Sequence, residues 1–371
     1  MRVNSLKLVN YRNYQELELA FQPALNIFIG CNAQGKTNIL EAVYYAACGS
    51  SFRGNSDGEL IKWNADGGSI SLGFSRLEVA NQLDFAFRRD KRRTIVYNGQ
   101  KIPLRELIGA FNVVLFAPDD LLLIKGAPAG RRKFLDMEIS QASPAYYREL
   151  ITYNRLLQQR NSLLKEIREG KSKAGMLEFW NPQLAASAAK ITAKRLDAVQ
   201  KFNMLANLMQ RRISGNEENL SLSYQIKGME NGQLAENMEI WYNEMLHGLN
   251  NEEIYRGVTC VGPHRDDIIV SVNGINLKSF GSQGQQRTAV LSMKLSELEF
   301  IRSETGEYPV LLLDDVMSEL DAGRRQQLLN FIEREGIQTL ITATDEAYFQ
   351  QAPLKTYFQV EAGQVKVVNK V

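Results

Sequence analysis

The chain has 371 residues, 44% apolar and 23% charged, an ordinary globular balance with length for a large core and two or more domains of about 100–200 residues each. Lys and Arg total 44 against 42 for Asp and Glu, so a formal net charge of +2 does not announce a nucleic-acid binder, and any DNA affinity must come from local basic patches. Cys31, Cys48 and Cys260 form no Cys-x-x-Cys pair, the N-terminus has no continuous apolar signal region, and no run approaches the roughly 20 apolar residues of a membrane span, so a reducing cytoplasm is expected and secretion or membrane insertion is not.

The chain opens with strand patterns. Leu6 and Leu8, then Leu17, Leu19 and Phe21, alternate with polar residues across the turn-like segment Asn10-Tyr11-Arg12-Asn13-Tyr14. The run Leu25–Ile29 predicts a strand ending at Gly30, and a helix follows from Lys36 to about Ala47 with Ile39, Leu40, Val43 and Tyr44 on one face. Leu83–Phe87 and Thr94–Tyr97 predict strands flanking a basic tip, and Asn98-Gly99 is a hairpin signal. From Asp119 the pattern turns helical. Tyr146, Leu150, Tyr153, Leu157, Leu164 and Ile167 share one helical face, and Gly170 to Gly175 is a polar break. A second helix is predicted from Leu177 to Arg212, a strand at Leu220–Tyr224, and a third helix from Gln233 to Leu249. Strands return near Val258. Ile268–Val272 with Asn273-Gly274 predicts a hairpin, a helix runs from Gln285 to Ser303, and Val310–Leu313 is an apolar strand. The expected fold is α/β: residues 1–118 and 256–371 form a head, and residues 119–255 form a helical insertion.

Gly30-Cys31-Asn32-Ala33-Gln34-Gly35-Lys36-Thr37, followed by Asn38, fits GxxxxGK[ST] after an apolar strand and at the start of a helix, which is the context a phosphate-binding loop requires. Small residues let successive N–H groups curl round an anionic phosphate, and the helix N-terminus adds a favourable dipole. Lys36 is expected to reach the β- and γ-phosphates of ATP and Thr37 to bind Mg²⁺. The strand Val310–Leu313 ends in Asp314-Asp315. Asp314 is expected to bind the metal and Asp315 to orient the attacking water.

Two further segments narrow the class. Ser282-Gln283-Gly284-Gln285, opening a helix, resembles the signature of ABC-type ATPases, and Ser318-Glu319-Leu320-Asp321 resembles their D-loop. The resemblance implies that Ser282, Gly284 and Gln285 close on the γ-phosphate held by a second copy, that Asp321 lines the interface, and that the fold is an ABC-type head with a P-loop core sheet and an antiparallel β part. Thr344, within Thr342-Ala343-Thr344-Asp345, stands where such heads usually carry a histidine, and Asp315 where they carry a glutamate.

Asn10–Tyr14, Lys125–Asp136, Tyr153–Asn161 and Gly262–Asp267 together resemble the RecF family of DNA-repair ATPases, related to SMC heads, in order along nearly the whole chain. The insertion permits helices of about 35 residues, or roughly 50 Å, short beside the coiled coils of the SMC relatives. The resemblance implies an ATP-dependent homodimer, binding to double-stranded and gapped DNA, slow DNA-stimulated ATP hydrolysis, and cooperation with RecR and RecO in loading RecA. Arg53 resembles an arginine that couples nucleotide to DNA in SMC-type heads.

Two basic clusters are candidate DNA contacts: Arg88, Arg89, Lys91, Arg92 and Arg93 at the hairpin tip, and Arg131, Arg132 and Lys133 at the start of the helical part. A solvated turn is the bland alternative for each. Two other functions share the ATP chemistry. A transporter's nucleotide-binding subunit would not need the helical insertion, and a small-molecule phosphotransferase would have no use for the signature or D-loop.

Overall fold

The computed structural model describes residues 1–54, 56–230, 235–349 and 354–368. Two compact units divide the chain: residues 1–121, 212–215 and 287–371 in the first, and 122–211 and 216–286 in the second.

The strands in chain order are β1 (Arg2–Tyr11), β2 (Tyr14–Ala20), β3 (Leu25–Ile29), β4 (Gly67–Arg76), β5 (Val79–Arg88), β6 (Lys91–Tyr97), β7 (Gln100–Lys101), β8 (Val113–Phe116), β9 (Leu220–Gln225), β10 (Asp267–Val272), β11 (Ile275–Asn276), β12 (Val310–Asp314), β13 (Thr339–Ala343), β14 (Lys355–Glu361) and β15 (Gln364–Val368). The helices are α1 (Lys36–Cys48), α2 (Leu104–Leu107), α3 (Leu122–Lys125), α4 (Pro128–Ala142), α5 (Pro144–Arg168), α6 (Leu177–Ile213), α7 (Met238–Gly248), α8 (Asn250–Arg256), α9 (Leu277–Phe280), α10 (Gln283–Thr305), α11 (Val316–Glu319) and α12 (Ala322–Glu335).

The first unit holds two six-stranded sheets. One is antiparallel, in the order β2-β1-β4-β5-β6-β7. Its first strand is bulged between Val3 and Ser5, which keeps Val3 and Leu6 both facing inward despite an odd spacing. The other is the core sheet, in the order β15-β14-β3-β13-β12-β8, parallel except for β15. All five residues of β12 and of β13 are buried, as expected of parallel strands covered on both faces. Helix α1 packs on β4 of one sheet and on β8, β12 and β13 of the other. That explains why it is buried nearly all round rather than along one stripe: Ile39, Leu40, Ala42, Val43, Ala46 and Ala47 are fully covered, and Tyr45 meets Phe85 and Phe87 edge-on.

The second unit contains α4, α5 and most of α6, with the three-stranded sheet β11-β10-β9 and helices α7 to α9. Family-like segments meet here in a buried polar network. Arg195 pairs with Asp136 and donates to Tyr224 Oη and the Pro263 carbonyl. Arg160 and Glu253, both fully buried, form an ion pair at 2.7 Å.

The helices predicted from Lys36, Leu177 and Gln285 are present, with ends displaced by about two residues at most. The predicted helix from Gln233 begins outside the described residues, and α7 starts at Met238. The strand expected near Val258 does not form before Asp267. Side chains take up the backbone there instead: Asn161 Oδ1 accepts the Thr259 N–H, Glu253 accepts the Cys260 N–H, and Arg265 donates to the Thr259 carbonyl.

Candidate nucleotide-binding site

Three neighbouring parallel strands deliver the predicted chemistry to one edge of the core sheet. Ala343 of β13 is in register with Ile29 of β3, and Thr342 with Asp314 of β12. The P-loop, Thr344 and the Asp314-Asp315 pair therefore leave the sheet side by side at its C-terminal edge, where α/β sheets bind ligands.

The P-loop glycines are required by close approach. A Cβ at Gly30 would lie 2.3 Å from the Val360 carbonyl oxygen. Gly35 has φ +116°, and a Cβ there would meet Asn13 Nδ2 at 2.6 Å and Tyr14 Oη at 2.7 Å. The loop is clamped from both flanks. From the β1–β2 turn, Asn13 Nδ2 donates to the Gln34 carbonyl at 3.0 Å and Tyr14 Oη to the Gly35 carbonyl at 3.1 Å. From the β14–β15 turn, the Ala362 N–H donates to Gln34 Oε1 at 2.6 Å and the Gly363 N–H to the Gln34 carbonyl at 3.3 Å. Cys31, Asn32 and Ala33 are exposed at the crest.

Lys36 is buried, and its Nζ donates to the carbonyls of Gly30 and Cys31. Burial lowers its pKa, against the opposing pull of Asp315, Cys31 and Asp314. Asp314 is buried, and its Oδ1 accepts from Thr37 Oγ1 and Thr342 Oγ1, each at 2.8 Å. The Asp315 N–H donates to Thr342 Oγ1 at 2.9 Å, with Asp315 itself at φ 53°, a left-handed conformation uncommon outside glycine. Burial raises the Asp315 carboxyl pKa, and Lys36 opposes that shift. Thr344 is exposed at the end of β13.

These residues fit a nucleotide with its metal. The loop admits no side chain at two glycines, a threonine hydroxyl and a carboxylate share one point, and a lysine lies beside both acids. Asn38 extends the cluster: its Nδ2 donates to Asn13 Oδ1 at 2.7 Å, and its Oδ1 accepts from the exposed Arg53 at 2.8 Å.

Ser282 and Gln285 form a capping box at the start of α10. The Gln285 N–H donates to Ser282 Oγ and the Ser282 N–H to Gln285 Oε1, both at 3.2 Å. Ser282 and Gly284 are exposed, and Gln285 Nε2 also donates to Glu218 at 3.1 Å. Asp321 caps α12 by accepting the Arg324 N–H at 2.9 Å, and this bond and the Arg324 charge hold its carboxyl below the usual range. Arg324 in turn donates to Thr288 Oγ1 at 2.6 Å, and Arg287 pairs with Glu319 at 3.1 Å, so the D-loop-like segment, residues 318–321, is tied to α10.

The basic clusters separate. Arg88, Arg89, Lys91 and Arg92 are exposed at the β5–β6 tip, whereas Arg93 pairs with Asp57 at 3.0 Å. Arg131 is corrected as a DNA candidate. It is 4% exposed, its Nε and Nη2 grip Asp267 at 2.7 and 2.8 Å, and its Nη1 donates to the carbonyls of Leu123 and Gly126. Arg132 is half-buried and donates to the Asp266 carbonyl, and Lys133 is exposed. Thr342, Asn13 and Tyr14 hold the site together without being marked for it in the sequence. The last two lie in a segment quoted for its family resemblance, and Thr342 is one of two threonines in the otherwise apolar β13, with nothing in the pattern to single it out.

The family model described as RecF/RecN/SMC N terminal domain matches residues 2–368. A protein of Alkaliphilus oremlandii named DNA replication and repair protein RecF is 44% identical, over 93% of each chain. The protein of the same name from Listeria monocytogenes is 42% identical over 99% of this chain and all of its own. A solved structure described as the recombination mediator protein RecF-ATP in the RecFOR pathway superposes with a TM-score of 0.91 at 34% identity, covering 99% of this chain and 97% of that one. The chain belongs to the RecF family, built on the RecF/RecN/SMC N-terminal domain.

Proposed function

We propose that this chain is an ATP-dependent DNA-binding protein of recombinational repair. Two copies close on one another with ATP, hold double-stranded or gapped DNA, hydrolyse ATP slowly under DNA stimulation, and with RecR and RecO help load RecA at single-strand gaps. The observation that carries the reading is the shared point at Asp314 Oδ1, where Thr37 and Thr342 converge beside the P-loop. RecF relatives named for DNA replication and repair, and one described with ATP in the RecFOR pathway, support it.

Each residue then has a task. The P-loop N–H groups and Lys36 hold the triphosphate. Thr37 and Asp314 would hold Mg²⁺, which when bound neutralises charge developing on the phosphate oxygens. Asp315 positions water, and the desolvation that raises its carboxyl pKa makes it a better proton acceptor than a solvated aspartate. Ser282, exposed with the helix start it caps, offers a second anion-binding end for the nucleotide of a partner copy.

Light scattering with saturating ATP, alone and with duplex, tests the pairing. Wild type is expected to double in mass with ATP, and Ser282→Arg to bind ATP yet stay monomeric. A wild-type chain that remains monomeric in every condition sinks the proposal.

A further inference from the structure

Trp63 is 87% exposed. An indole left in water forgoes a large burial gain, and its flat ring is suited to contact across a face. It does not sit on a loose loop. The Lys62 N–H donates to the Asn10 carbonyl at 2.9 Å, the Ala65 N–H to the Lys62 carbonyl at 3.1 Å, and Arg89 Nε to the Ala65 carbonyl at 3.0 Å. The turn runs into β4, whose first residue Gly67 pairs with Arg88 at the end of β5, and Arg89 donates to the carbonyls of Ala65 and Lys62, so the turn that carries Trp63 flanks the β5–β6 tip. Arg89 binds the turn itself, and Arg88, Lys91 and Arg92 are exposed on the adjoining tip with Asp90, so the turn lies beside a locally basic hairpin end.

We propose that Trp63 is a stacking platform for an unpaired base of gapped DNA, with Arg88, Lys91 and Arg92 taking the neighbouring phosphates. The inference rests on the DNA-binding function proposed above and adds which part of the DNA is read. Cations on phosphates hold any nucleic acid alike, because the backbone carries no sequence information. A flat ring is different. Within a duplex both faces of each base are covered by neighbours, so a tryptophan finds a free face only where a base is unpaired or terminal. The combination therefore favours a gap or its edge over continuous duplex. The same turn is joined to the P-loop: Lys62 Nζ donates to the Asn13 carbonyl at 3.0 Å, and Asn13 Nδ2 donates to the Gln34 carbonyl at 3.0 Å. DNA engagement at the ring and phosphate engagement at the loop thus share one support.

Fluorescence anisotropy with ATP, using a labelled duplex bearing a single-strand gap and a continuous duplex of equal length, tests the assignment. Trp63→Ala is expected to weaken gapped DNA about tenfold, as loss of one stacked base does, and to leave continuous duplex within about twofold. Trp63→Phe keeps most of the gapped-DNA affinity. The salt dependence stays unchanged, because no phosphate contact is removed. Unaltered binding of both DNAs by Trp63→Ala overturns the proposal. Equal weakening on both DNAs also overturns it, since the ring would then serve the duplex. If wild type binds neither DNA with ATP, the DNA-binding function falls and takes this inference with it. If wild type binds and Trp63→Ala binds identically, only this inference falls.

Discussion

Thr342 holds Asp314 in place: its hydroxyl donates to Asp314 Oδ1 at 2.8 Å and at the same time receives the N–H of Asp315 at 2.9 Å. One buried hydroxyl thus orients the proposed metal-binding carboxylate and secures the left-handed turn that carries the proposed water-positioning one. Thr342→Val keeps the shape and removes both bonds, leaving the part-buried Asp315 N–H without its acceptor. We expect a stability loss of about 1–3 kcal/mol and a fall in ATPase activity of roughly 10–100-fold, with a higher Mg²⁺ requirement. Thr342→Ser should recover most of the activity. A Mg²⁺ titration of hydrolysis at saturating ATP reads the effect, and an unchanged midpoint in Thr342→Val would show that the hydroxyl has no part in positioning the metal.

Asp315→Asn removes the proposed proton acceptor while keeping size and backbone geometry. ATP binding should persist, turnover should drop by about 10²–10⁴-fold, and the paired form should outlive that of wild type in light scattering after excess nucleotide is removed. Wild-type turnover in this variant means that another group activates the water.

Arg131 offers a contrast between stability and DNA contact. Its guanidinium is buried against Asp267. Breaking a buried pair by removing one partner leaves an uncompensated charge and costs about 3–5 kcal/mol. Arg131→Ala should therefore lower the melting temperature by several degrees without changing the salt slope of DNA binding. Arg92→Ala should do the reverse, reducing the slope by about 1 at unchanged stability. A reduced slope in a folded Arg131→Ala would restore it as a phosphate contact.

His264 makes stability depend on pH. Its Nε2–H donates to the Thr259 carbonyl, so Nδ1 accepts from Tyr153 Oη at 2.6 Å. Burial pushes its pKa down to about 4. With the unfolded pKa at about 6.5, the unfolded chain binds the proton first as pH falls. The contribution is therefore complete above about 6.5 and lost progressively toward 4, at about 2 kcal/mol between pH 7 and 5. Urea unfolding of wild type and His264→Gln at both pH values isolates this term. Equal pH dependence in the two chains would remove His264 as its source.

The candidate site residues stand out in the sequence as local patterns. Gly30–Thr37 after an apolar strand, Asp314-Asp315 at the end of another, and Ser282–Gln285 opening a helix are local patterns whose physics is set by neighbours in sequence. The supports were not legible. Asn13 and Tyr14 reach the loop across 21 positions, Thr342 reaches Asp314 across 28, and Glu41 meets Arg12 in an ion pair from α1. Nothing in the spacing of those residues marks them as partners.

The amino-acid sequence by itself determined most of the strands and helices, though not the irregular stretch after Val258, and the glycine-rich turn between β3 and α1, because periodicity, glycine freedom and helix caps act within a few residues. Tertiary structure alone decided which charges are surface and which are structural. Arg92 and Arg131 look equivalent as members of basic clusters, yet one is exposed and the other is buried on Asp267, 136 positions away. Burial and pairing are properties of residues brought together from afar, and a charge takes its role from the dielectric and the partner it meets there.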